Sequence, residues 1–106
     1  MNFFILKLLD YTKYPFSRYR KDGGNSAEEF RCDHLIPALE QHQLIVLDLN
    51  GVIGFPTSWT EEVFGGLVRE HGFTTNELRE RLSIDVKDKL IEYEIWDLIE
   101  RSEKTR

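Results

Sequence analysis

Thr57 and Ser58 stand side by side in the stretch GFPTSWTEEVFGG, residues 54–66, which also holds Glu61, Glu62 and the pair Gly65–Gly66. Two adjacent hydroxyls at what reads as a strand-to-helix junction can serve as nucleophiles, as phosphate acceptors or as helix caps. A nucleophilic role needs a histidine or lysine base nearby. None stands at a suitable spacing, so no catalytic residue is assigned. As a cap, Ser58 would take the N-cap position with Glu61 at N3, making a capping box in which Trp59 is the first helical residue. As a phosphate acceptor, Ser58 or Thr57 would place a charge of about −2 on a helix N-terminus. The macrodipole favours that placement, while Glu61 and Glu62 oppose it. The two glutamates do not form an acid/base pair, because neighbouring helical side chains splay by ~100°. Glu62 is instead free to reach Arg18 or Arg20 in the preceding loop.

The glycine pair lies inside the same helix, where each glycine costs ~1 kcal/mol relative to alanine. Trp59, Val63, Phe64, Leu67 and Val68 form one apolar side, and Gly65 projects nearly opposite. A surface where another backbone comes close would use such a glycine, which places Trp59, Glu62, Gly65 and Gly66 at a partner-binding face. A second constellation, RYRKDGGNS at residues 18–26, gathers Arg18, Arg20, Lys21, Gly23 and Gly24 ahead of a helix start. These are the ingredients of an anion or nucleotide site, although DGGN carries no phosphate-loop or dinucleotide fingerprint. In RCDH, the side chains of Cys32, Asp33 and His34 diverge on a helix, and His42 and His71 have no metal-ligand spacing. No metal and no cofactor is implied.

The elements that must hold these residues follow from the hydrophobic pattern. FFILKLL, with Phe3, Phe4, Ile5, Leu6, Leu8 and Leu9 apolar, reads as a central strand buried on both faces. Ser26 and Glu29 have the spacing of a capping box at the start of a helix that Pro37 should break or kink. QLIVLDLNG reads as a second central strand. The junction helix follows, then a short helix in TTNELRERL, a third strand in LSIDV, and an amphipathic helix in KDKLIEYEIWDLIERSEK. Strands alternating with helices imply parallel pairing. The expected fold is α/β, a central mixed sheet with parallel pairs and helices packed against it, in a single domain over residues 1–106.

With the motifs placed, a family resemblance emerges. RYRKDGGNSAEEFR, a helix, and then IVLDLNGVIGFPTSWTEEVFGGLV resemble a bacterial STAS-like domain family of unknown function. Its members read R-Y-x-x-D-G-x-x-S-x-x-E-F-R, then D-F-x-G-V and S-S-F-x-x-E-x-F-G-G-L. The likeness spans about residues 18–86. That family is similar in turn to the STAS domains of anti-sigma-factor antagonists, whose helix start carries a phosphorylatable serine. Ser58 falls at that serine, and Thr57 takes the place of the other hydroxyl. Pro56 stands where the antagonists carry aspartate, and Trp59 where they carry glycine. The resemblance implies a regulatory protein–protein interaction module rather than an enzyme. It implies a GHKL-type ATPase or kinase as partner. A toxin-neutralising or defence-related module that binds a toxin-like protein is the alternative.

Composition agrees with a small globular domain. The 106 residues carry a net charge of −5 and are 31% charged and 41% hydrophobic, which makes nucleic acid a poor partner. No run reaches the ~20 apolar residues that span a bilayer, so no membrane is expected. The single cysteine excludes an intrachain disulfide and fits the cytoplasm. Trp96 on the C-terminal helix offers a homodimer face if it stays exposed.

Overall fold

The computed structural model describes residues 3–105. Three four-residue strands, β1 (Phe4–Lys7), β2 (Ile45–Asp48) and β3 (Leu82–Asp85), form one sheet in that order. Both pairings are parallel: Phe4, Ile45 and Leu82 stand in one row, and Leu6, Leu47 and Ile84 in another. The expected parallel pairs are present, and the described sheet is parallel throughout.

Its strands alternate cleanly. Ile45, Leu47, Leu82 and Ile84 are buried on one face, whereas Ile5, Val46 and Ser83 line the other and are at least partly exposed. All-parallel sheets are usually covered on both faces; here β1 is an edge with Phe4 and Ile5 exposed. The expectation of a central, doubly buried first strand is therefore corrected. β2, richer in β-branched residues and leucine, takes the centre.

Four helical rods pack around the sheet. The first runs through α1 (Ala27–Phe30), a π turn (Arg31–Leu35) and α2 (Ile36–Gln41). Ser26 caps it by accepting from the Glu29 N–H at 3.1 Å, the serine half of the expected box. Pro37 does not end the rod. It has no N–H to give the carbonyl four residues back, and the wide turn that precedes it absorbs that loss.

The second rod repeats this plan with α3 (Thr57–Thr60), a π turn (Glu61–Gly65) and α4 (Gly66–Arg69). α5 (Thr75–Arg81) starts on a complete capping box between Thr74 and Glu77. α6 (Lys89–Lys104) is capped by Asp88. One core joins the layers, with Leu8, Phe30, Leu47, Trp59, Phe64 and Ile99 fully buried. No helix among the described residues is long and apolar enough to cross a membrane.

Candidate functional site

The two π turns face one another, and a set of buried charges joins them. Arg31, 4% exposed, donates from Nη1 to Glu62 Oε2 at 2.7 Å and also to the Glu62 carbonyl oxygen. Glu62, 6% exposed, takes a second donor, Arg18 Nε, at 3.0 Å. Arg18 reaches Glu61 as well, and Arg69 pairs with Glu61 from the far side. The contact of Glu62 with the loop therefore goes to Arg18. Arg20 turns away to form a two-pronged pair with Asp33 at 3.0 and 2.9 Å.

Arg31 also fixes the state of a histidine. Its Nε–H donates to His71 Nε2 at 3.2 Å, and because a guanidinium only donates, that nitrogen must be unprotonated. Partial burial and the Arg31 charge lower the His71 pKa, against the opposing carboxylates of Glu70 and Glu40.

The glycine pair finds its reason here. A Cβ on Gly66 would overlap the Arg31 Nη1, Cζ and Cδ atoms. One on Gly65 would crowd Arg69, Glu61 and the Ser102 Oγ of α6. Both glycines are buried. They admit side chains of the same molecule, so the expected partner face at Gly65 and Gly66 is corrected. Trp59 is corrected with them. It is fully buried and packs on Phe30 with ring centroids 5.7 Å apart, because it belongs to the same apolar stripe as Val63 and Phe64. Glu62 serves the internal ion network rather than a partner.

The expected anion loop is likewise occupied by its own chain. Arg18 and Arg20 are held by carboxylates, and Lys21 lies over the Tyr19 ring at 5.7 Å. The first N–H groups of α1 go to the Ser17 and Arg18 carbonyls and to Ser26 Oγ. Gly23 and Gly24 are exposed turn residues. This arrangement argues against Arg18, Arg20, Lys21, Gly23 and Gly24 as an anion cradle.

Thr57 and Ser58 are both exposed. The helix begins on Pro56 with no side-chain cap, so Ser58 is the second residue of the first turn and not the N-cap. Pro56 takes the extended conformation that the N-cap position demands, which shifts the helix start back by two residues. Ser58 is thus a surface hydroxyl with no capping duty.

Four exposed apolar side chains mark a surface that the sequence pattern did not reveal. Leu9, Tyr14, Phe16 and Ile53 are 45%, 56%, 55% and 49% exposed. They sit on the loops that follow β1 and β2. Direct contacts knit those loops together: the Ile53 N–H donates to the Lys13 carbonyl at 2.8 Å, Gly51 lies against Leu9, Gly54 against Phe16, and Tyr14 against Phe16. Gly51 and Gly54 hold φ of +91° and +78°, which fixes the loop in a shape closed to most other residues. In open α/β sheets this side, beyond the carboxyl ends of the strands, is where ligands bind. The Ile53 loop then runs through Pro56 directly into Thr57 and Ser58.

Among the described residues no cluster of three metal-ligating side chains occurs. Cys32 is half-buried, with the Arg31 guanidinium 3.8 Å from its sulfur. Trp96 is half-buried beneath the Arg79 guanidinium, 4.6 Å from the ring centre, which reduces the apolar face it could offer to a second copy.

A family model described as a STAS-like domain of unknown function matches residues 26–85, more than half of the chain. The matched span contains both π turns, the Arg31–Glu62 pair, the glycines and Ser58. No match to a curated protein or to a solved structure was found. The chain belongs to the STAS-like family.

Proposed function

Starting from that membership, we propose that this domain is a non-enzymatic regulatory module that binds another protein, and that a phosphate on Ser58 switches the binding. The observation that carries the reading is that the loop presenting Ile53 in the exposed Leu9–Tyr14–Phe16–Ile53 surface runs, through the three residues that follow, into the exposed Thr57 and Ser58. An apolar patch bordered by polar residues is a common form of protein-docking surface. A hydrated dianion placed beside it would have to be stripped of water as the partner approached, and that cost opposes docking.

The charges around Ser58 support the switch. Glu61 and Glu62, three and four residues further along the helix, would repel a phosphate if they were unpaired. Arg18, Arg31 and Arg69 hold them, which leaves one positive charge in excess among the five groups. A GHKL-type ATPase or kinase is the partner class, acting in the cytoplasm. The test is affinity capture from the cells that encode the protein, with wild type, Ser58→Ala, Ser58→Glu and Ile53→Asp as baits. One protein retained by the first two and lost by the last two is the expected result. Equal capture by all four contradicts the reading.

A further inference from the structure

The geometry points to a second site, an oxyanion-binding cleft between the second rod and the C-terminal end of α6, which takes a phosphate monoester or inorganic phosphate. The cleft has a volume of about 530 Å³. Arg69, Arg101 and Lys104 line it, together with the hydroxyls of Thr57 and Ser102. Glu61 is the one carboxylate in the lining, and both of its oxygens are already taken by Arg18 and Arg69. With Arg69 engaged by Glu61, Arg101 and Lys104 are the two lining cations with no carboxylate of the lining paired to them, in a chain whose net charge is −5.

Arg101 and Lys104 remain available to a ligand. The Arg101 side chain is 68% exposed, and among the described residues its one ion pair is with Asp97, one helical turn back on the surface, through Nε at 2.9 Å. Its two terminal nitrogens keep their donors. Such surface pairs contribute ~0–1 kcal/mol and give way readily to a better acceptor. Lys104 has no carboxylate partner among the described residues. Neither the Thr57 nor the Ser102 hydroxyl donates to another group there. A planar guanidinium offers two parallel donors to a phosphate, and an ammonium adds a third charge without geometric demand. Buried Gly65 lets two lining residues come close beneath the cleft: a Cβ there would press on Arg69 and on Ser102 Oγ, which stands 3.1 Å from that position.

Because Thr57 lines the cleft, the phosphate has two possible sources, a separate molecule or Thr57 itself after phosphorylation. The chemistry recognised is the same. Free phosphate binds here without any partner protein, so this site stands or falls independently of the docking surface.

The test is titration of the isotope-labelled full chain with inorganic phosphate, against sodium chloride at matched ionic strength, followed by amide NMR. Saturable shifts at Thr57, Ser102 and Lys104 are expected. Arg101→Gln and Lys104→Gln, both exposed and harmless to folding, should each weaken the apparent affinity by about tenfold, the loss of one charge-assisted hydrogen bond. Shifts that never saturate, or that are unchanged in both variants, overturn the proposal. Repeating the titration on protein carrying phosphothreonine at position 57 separates the sources. Loss of the free-phosphate response shows that a Thr57 phosphate seats in the cleft itself, and an undiminished response leaves the cleft to a separate molecule.

Discussion

Glu62 and Arg31 pin the two π turns together, and their neighbours are shaped to admit them. Gly66 is a direct probe. Gly66→Ala adds helix propensity of ~1 kcal/mol, yet its Cβ would fall on the Arg31 side chain. Net destabilisation of about 2 kcal/mol in urea unfolding is expected. With Arg31 and Glu62 both replaced by leucine, the alanine should become neutral or stabilising. His71 gives a pH signature. Its folded pKa is lowered, so the unfolded chain binds the proton first as pH falls below about 6.5. The stability that His71 contributes is therefore complete above that pH and is lost as pH drops toward the folded-state pKa. Glutamine at position 71 can still accept from Arg31 but does not titrate. His71→Gln should flatten stability between pH 7 and 5 while leaving neutral-pH stability nearly intact. Of these contacts, only Arg18–Glu62 was legible in the sequence. Arg31 was missed because nothing in a linear pattern shows which arginine a fold will bury. The glycine pair was the available signal: two costly residues inside a helix demand a neighbour that needs the space.

Among the elements, helix starts separate residues that cap from residues that merely resemble caps. Thr74 accepts from the Glu77 N–H at 3.1 Å, and Glu77 returns the bond to the Thr74 N–H at 3.0 Å. Thr74→Ala should cost ~1 kcal/mol. Ser58→Ala should change stability by less than about 0.5 kcal/mol, since Ser58 caps nothing. Thermal unfolding of the two variants side by side checks both. The S-x-x-E spacing found the cap at Ser26, where only the serine half of the box forms, and was misleading at Ser58. At Ser58 the proline two residues earlier already supplies the N-cap backbone geometry. Periodicity located β2, β3, α5 and α6 nearly to their ends, because their apolar residues recur at strand or helix spacing. It found β1 as a strand but misjudged its burial, since the apolar run belongs to an edge and Phe4 and Ile5 remain exposed. A run that is apolar without alternation records only that water is unwelcome, not which surface excludes it.

Along the chain, Ser58 stands between the loop that carries Ile53 and the helical rod that carries the ion-paired network. Trp59 and the π turn of Glu61–Gly65 follow it, and the Ile53 loop, joined to the loop of Leu9, Tyr14 and Phe16, precedes it. The docking surface was hidden in the sequence because Ile53 lies more than thirty residues from Leu9, Tyr14 and Phe16, and the parallel pairing of β1 and β2 brings their loops together. Fold class and family were accessible from short motifs in order; the arrangement of the surface required the tertiary structure. The most direct test of the regulatory reading is calorimetric titration of the captured partner with two homogeneous preparations, the unmodified chain and the chain phosphorylated stoichiometrically at Ser58, each verified by intact mass. The unmodified chain should bind at least about tenfold more tightly, equivalent to about 1.4 kcal/mol. Equal affinities would show that Ser58 is an ordinary surface serine and that binding is controlled elsewhere.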